Sequence, residues 1–230
     1  MIETNDFRPI KSRHHQNGFT LIELMIALLI GMILSIGLLQ AYMTARQANR
    51  LALASARMLE DGRLSMEFTT QRLRQGVVAP SSDNDTLIFV NDNDMDCFGA
   101  ELTGVKTIHT FSYNNNNLGY SCELEGSTEK QVDNQPLIGL GNASGLDSDM
   151  VENMRFLYGI DEGGDGSVNN YSSSYAFNTI AVRWCLQLVS SEANLLPSVS
   201  STTGCDGNPK SDQKLRRVLW QTAYLRNAAP

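Results

Sequence analysis

Apolar residues dominate the start of the chain and become periodic further along. From Phe19 to Leu39 the only charge is Glu23, and Leu24–Leu39 is apolar apart from Gly31, Ser35 and Gly37. Carried on to Tyr42, a helix at 1.5 Å per residue would reach about 36 Å, enough to cross a hydrocarbon core of about 30 Å with some tilt. A cleaved secretory signal has a shorter apolar region followed by a small-residue cleavage site. Here polar helix-forming sequence continues instead, so an uncleaved transmembrane span over 19–42 is the reading. Between Arg46 and Val77 there is no proline, and Ala, Leu, Arg, Gln and Glu dominate. Ala45, Ala48, Ala52, Ala56, Leu59, Met66 and Leu73 recur at spacings of three, four or seven, which predicts an amphipathic helix over 43–79 whose stripe covers a sheet. The run from Gln75 to Pro80 supplies its stop.

Beyond residue 80 the period shortens to two. Thr86–Asn91, Thr107–Tyr113, Leu118–Leu124 and Met154–Ile160 are β-like runs bounded by Asp, Asn, Gly and Ser. Asn178–Ser190 is the clearest: Ile180, Val182, Trp184, Leu186 and Leu188 fall on one face, with Ala181, Arg183, Cys185 and Gln187 on the other. Arg217–Leu225 is another good strand, and 91–96, 114–117, 161–174 and 190–212 read as polar connections. The fold class is therefore α+β, a long N-terminal helix packed on an antiparallel β-sheet head. The expected organisation is a leader at 1–18, a long helix at 19–79 and a β-rich globular head at 80–230. A hydrophobic content of 42% with 19% charged residues suits one globular domain with an appendage.

Charge and cysteine change the picture in two ways. The net charge of −7 is uneven, being +1 over residues 1–18, +2 over 19–79 and −10 over 80–230. An acidic head repels phosphates, so no nucleic-acid partner is expected. Arg8, Lys11 and Arg13 before the span favour a cytoplasmic N-terminus, a signal weakened by Arg46, Arg50 and Arg57 on the other side. Cys97, Cys122, Cys185 and Cys205 all lie in the head without CxxC or Cys/His metal spacing, which reads as two disulfides in an oxidising compartment. Three pairings are possible; Cys97 with Cys122 and Cys185 with Cys205 closes the shortest loops and is the one expected.

The stretch Gly18, Phe19, Thr20, Leu21, Ile22, Glu23 running into LMIALLIG resembles the processing site and helix start of type IV pilins and their pseudopilin relatives. The resemblance implies that a prepilin peptidase cuts after Gly18 on the cytoplasmic face and methylates the new amino group of Phe19. It also gives Glu23 a role, pairing with the positive N-terminal amine of a neighbouring subunit. A carboxylate within hydrocarbon costs on the order of 2–3 kcal/mol and marks a functional position; snorkelling to the headgroups is the plainer reading. Glu60–Met66 with Arg72–Arg74, Val151–Arg155 running into Tyr158–Asp161, and Leu215–Val218 ending at Leu225–Asn227 resemble the PilW type of minor pilin. That resemblance implies a low-abundance subunit that joins other minor pilins to start assembly at or near the tip. Its partners would be the peptidase, other minor pilins, the major pilin and the inner-membrane assembly platform. It would pass from the inner membrane, head in the periplasm, to the cell-surface pilus. A minor pseudopilin of a type II secretion system shares the whole N-terminal pattern and is the alternative.

Catalytic chemistry finds little footing. The histidines are His14, His15 and His109, two of them in the leader, which leaves no His-based triad or zinc set in the mature chain. GxSxG, Walker A and GxGxxG motifs are missing. A single-span membrane enzyme or receptor would leave the GFTLIE hexamer unexplained, so no enzymatic activity, cofactor or metal is expected. Two acidic loops invite comparison with calcium sites. Asp92, Asp94 and Asp96 alternate like an EF-hand start, but Cys97 stands at the turn glycine and Thr103 at the bidentate acid; Asp161, Asp165 and Gly166 lack an acid at Ser172. Solvated turn residues are the favoured reading of both.

Overall fold

The computed structural model describes residues 19–114, 116–127, 129–138 and 150–225. Helix α1 runs from Leu21 to Leu73 and is followed by eleven strands: β1 (Gly76–Val78), β2 (Thr86–Asn91), β3 (Thr107–Asn114), β4 (Asn117–Leu124), β5 (Lys130–Ile138), β6 (Met150–Ile160), β7 (Asn170–Ser172), β8 (Thr179–Val189), β9 (Ser200–Thr203), β10 (Pro209–Asp212) and β11 (Arg216–Tyr224). The chain divides into two compact units, 1–46 and 47–230. The second contains the latter part of α1 and every strand.

In that second unit α1 packs on antiparallel sheets, but its buried stripe differs from the expected one. Ala52, Ala56 and Leu59 are exposed; the buried positions are Met58, Gly62, Ser65, Met66, Thr69, Thr70 and Leu73. The period is still three and four, yet small and hydroxylated residues carry it because the helix approaches the sheet closely. Gly62 sits at that approach: a Cβ there would run into Leu219 Cδ1 and lie 3.2 Å from Leu188 Cδ1. Ser and Thr fit a dry face because their hydroxyls bond backward along the helix, Thr69 Oγ1 to the Ser65 carbonyl at 2.8 Å and Thr70 Oγ1 to that of Met66 at 2.6 Å.

The helix also stops earlier than residue 79. After Leu73 the chain turns, and Gly76–Val78 pairs antiparallel with Phe89–Asn91 as β1. Gly76 makes this possible, since a Cβ would meet the Asn91 side chain and Phe89 Cδ2, the latter at 2.7 Å.

The head is built on two main sheets rather than one. The first has the order β1-β2-β3-β4-β5, the second β11-β8-β6-β7, and β9-β10 form a separate hairpin. All three are antiparallel. Phe89, Phe111, Phe156, Tyr158, Trp184 and Leu188 are fully buried between the sheets and the helix. Phe68 of α1 meets Phe111 and Tyr120 edge-on, with ring centroids 6.0 and 5.2 Å apart. The 190–212 segment, expected to be loop, contains the β9-β10 hairpin, and β1, β5 and β7 are further strands without a clear sequence signal.

β8 departs from simple alternation: from Trp184 to Val189 every residue is buried. The face beneath α1 carries Trp184, Leu186 and Leu188. The opposite face is covered by the chain that the Cys185–Cys205 disulfide pulls against it. There Gln187 Oε1 accepts the Cys205 N–H at 3.1 Å and its Nε2 donates to Glu152 Oε2 at 2.6 Å. Arg216, its side chain 4% exposed, donates through Nε and Nη2 to Glu152 and through Nη1 and Nη2 to Asp212. A buried guanidinium is tolerable only when paired this fully. Burial alone would raise the Glu152 carboxyl, but the Arg216 hydrogen bonds and charge outweigh it and hold it below its usual range. Hydrogen bonding to Arg216 brings Asp212 down to about 2.

His109, in the first sheet, is a further buried titratable group. Its Nδ1 pairs with Tyr120 Oη at 2.8 Å, and its Nε2 with Asn91 Nδ2 at 3.1 Å and Thr107 Oγ1 at 3.0 Å. Burial, reinforced by the nearby Arg72 charge, lowers its pKa to about 4, so the folded state holds it neutral. A depressed histidine pKa stabilises the fold fully above about 6.5, and this is lost as pH falls from there to about 4, where the folded form protonates too. The drop from 6.5 to about 4 corresponds to about 3 kcal/mol. The denaturant midpoint of the chain in detergent is therefore expected to fall between pH 7.5 and 4.5, and His109→Gln is expected to flatten that dependence. An equal slope in both proteins would assign the acid sensitivity to other groups.

Candidate functional site

The candidate site is the start of α1, in the first unit. Thr20 precedes the helix and caps it: its carbonyl accepts the Leu24 N–H at 3.2 Å and its Oγ1 the Glu23 N–H at 3.3 Å. Thr20, Leu21, Ile22, Glu23 has the form of a capping box, with the acid three residues after the capping hydroxyl. Sequence reading passed over this role of Thr20, although the T-x-x-E spacing was available to show it. It gives Glu23 a local reason to be there, because a carboxylate in the first turn faces the positive end of the helix dipole.

Phe19, Glu23, Leu24, Ala27 and Leu28 line one shallow surface groove of about 330 Å³. The ring of Phe19 and the carboxylate of Glu23 thus share one side of the helix, one turn apart. Every residue from Phe19 to Arg50 is exposed, including Leu24, Leu28, Ile33 and Leu38. Among the described residues one helix is long and apolar enough to cross a membrane, and this is its apolar portion. An uncovered run of this length has no stable place in water and suits lipid or other apolar helices. The polar side chain within it is satisfied internally, Ser35 Oγ donating to the Gly31 carbonyl at 2.7 Å. Gly18 and the rest of the 1–18 leader lie outside the described residues.

The remaining candidate residues lie in the second unit. Cys97 is bonded to Cys122 and Cys185 to Cys205, with sequence separations of 25 and 20. The first pins the 92–104 loop onto β4, the second the segment after β9 onto β8. Closing loops of this length contributes about 3 kcal/mol each in the chain-entropy account. The acidic loops use their carboxylates to hold their own backbone. Asp94 accepts the Gly104 N–H at 2.6 Å, and Asp96 those of Phe98 and Ala100 at 2.9 and 2.7 Å. Asp161 accepts from Gly164 at 2.6 Å and Gly166 at 2.8 Å, and the Gly166 bond leads in keeping its carboxyl below the usual range. Among the described residues no three His, Cys, Asp or Glu side chains are grouped to hold a metal ion.

Residues 13–39 match the family model for the prokaryotic N-terminal methylation motif, which therefore includes Gly18, Phe19 and Glu23. No curated protein matches the chain. Among solved structures, a type IV-like pilin from Thermus thermophilus superposes with a TM-score of 0.53 at 18% sequence identity, over 76% of this chain and 98% of that one. The chain thus combines a type IV pilin-like fold with an apolar N-terminal helix suited to membrane anchoring and a match to the prokaryotic N-terminal methylation motif.

Proposed function

We propose that this chain is a minor pilin of a type IV pilus, an assembly subunit that helps to initiate the filament and sits at or near its tip. The observation that carries the reading is the match to the methylation motif at 13–39, which takes in an apolar stretch, 19–39, whose lone charge is Glu23. A prepilin peptidase would remove residues 1–18 and methylate Phe19, leaving the helix anchored in the inner membrane with the head outside the cytoplasm. The PilW-like stretches favour the minor role; within the described residues they fall on or beside α1, β6 and β11, of which α1 and β11 meet at Gly62 and β6 and β11 at the Arg216 network. The other minor pilins, the major pilin and the assembly platform are the partners this reading calls for. Deleting the gene tests it: surface pili lost while type II secretion persists supports the pilus, and the reverse would place the chain among pseudopilins.

Two substitutions probe the N-terminal chemistry. Gly18→Ala is expected to block leader removal, because the peptidase must reach backbone that only glycine leaves open. Immunoblotting would then show a band about 2 kDa heavier, at about 110 Da per residue for the 1–18 leader; migration at the mature size would rule the cut site out. Glu23→Leu is expected to leave membrane insertion intact, since the span only becomes more apolar. Incorporation into pili should suffer, because a charge pair in low dielectric is far stronger than in water. Normal pilus number at normal membrane levels would assign Glu23 to helix capping alone.

A further inference from the structure

A strand at the edge of a sheet presents unpaired main-chain groups, and folded proteins usually blunt such edges. The edges of this head differ in how far this is done. β1 and β7, at the ends of the two main sheets, are each only three residues long. β5 is nine residues long but irregular, with register shifts against β4, Pro136 within it and Asn134 at a φ of +42°. β11, the remaining edge, has none of these devices. It pairs with β8 residue for residue from Arg216 to Tyr224 without a bulge or proline, and from Val218 to Leu225 it carries no charge. Among the described residues its outer edge has no partner strand.

Parity shows which groups that edge offers. Ser190 N–H donates to the Leu215 carbonyl and Leu225 N–H to that of Ile180, both at 2.9 Å, at the two ends of the unbroken register. Odd-numbered residues therefore exchange hydrogen bonds with β8, and Val218, Trp220 and Thr222 aim their main-chain N–H and C=O groups outward. Beside this edge runs a groove of about 560 Å³, walled on one side by Arg63, Met66 and Thr70 of α1 with Arg74 just past its end, and on the other by Leu219–Gln221. Arg63 to Arg74 extends about 16 Å along the helix, the length of about five residues of strand. The Trp220 ring lies on the sheet face away from α1, with the Arg183 guanidinium 4.6 Å from its centroid.

We propose that the β11 edge and its groove take up an extended segment of a partner subunit as an added strand. The segment would insert an apolar side chain beside Met66 and Leu219 and carry acidic side chains toward Arg63 and Arg74. Main-chain bonds to Val218, Trp220 and Thr222 supply affinity, and the groove supplies selectivity. The groove is basic, Arg63 and Arg74 outnumbering Glu67, on a head that is acidic overall. Two copies paired edge to edge would instead bring Arg63, Arg74 and Arg217 of both together, a like-charge arrangement that disfavours self-pairing. The inference concerns the head alone and holds whether or not the subunit initiates a pilus.

Amide hydrogen exchange on the full chain tests it, comparing the protein purified alone in detergent with the assembly extracted from membranes. Alone, the amides of Val218, Trp220 and Thr222 should exchange fast while Leu219, Gln221 and Ala223 are protected. In the assembly the outward set should slow by about 100-fold or more, as paired strand amides do. Outward amides already protected in the dilute purified chain would mean that its own C-terminal residues occupy the edge; protection that appears only as that chain is concentrated would mean that a second copy does. Either result, or outward amides that stay fast in the assembly, overturns the proposal. Thr222→Pro removes one outward N–H and leaves the odd-numbered bonds to β8. It should keep protection at Leu219 and Gln221 yet lower partner recovery at least about tenfold; undiminished recovery with those amides still protected also overturns it.

Discussion

Water is excluded as a neighbour for the first half of α1, and much else follows from that. Between Phe19 and Leu39 the helix has one charge and no protein cover. Its polar groups must therefore be satisfied within the helix, as Ser35 is by Gly31 and the first-turn amide of Glu23 is by Thr20. The same constraint makes Glu23 conspicuous. At the first turn, the helix dipole and the capping position reduce the cost of a carboxylate, whereas at residue 30 nothing in the helix would do so. Chemistry at this end of the chain is thus placed where local electrostatics favours it.

The second half of α1 obeys a different demand, that of close approach to a sheet. Gly62, Ser65, Thr69 and Thr70 make the contact, and large apolar side chains are reserved for Met58, Met66 and Leu73. The two main sheets are joined beneath it by aromatic packing, and on the face away from the helix the Arg216 network ties the β9-β10 hairpin to the second sheet. In that network a single guanidinium links β6, β10 and β11, and Gln187 extends the link to the disulfide on β8. A cation this enclosed contributes little net stability but fixes one arrangement, because any other leaves it unpaired.

These two demands explain how legible the fold was. The apolar run and the strands β2, β3, β4, β6, β8 and β11 could be read directly, since each carries one dominant period. The helix stripe was misplaced because alanines at 45, 48, 52 and 56 mimic a buried face, while the true face uses glycine and hydroxyl residues that ordinarily count as polar. β1 and β7 are too short to show alternation, and β9 and β10 are held by a disulfide and a hairpin turn rather than by a hydrophobic face. The division into two sheets depends on long-range pairing, which no local period reports. At the N-terminal site the hexamer was visible as a whole, but the capping role of Thr20 was hidden by the stronger pull of Glu23.

The covalent tie between Cys185 and Cys205 bears on how this head can diversify. The cover over the outer face of β8 is held by three ties, the disulfide, the Gln187 bond to the Cys205 amide and the Arg216 pair with Asp212. β9 and β10 bury almost none of their side chains. Outside the 204–208 turn, where Gly207 takes a φ of +77°, the fold therefore asks very little of the side chains at 198–203 and 209–211: their chemistry can drift or acquire charge while the sheet beneath stays closed. A surface so decoupled from the core is where a lineage can change what the head meets without relearning how to fold.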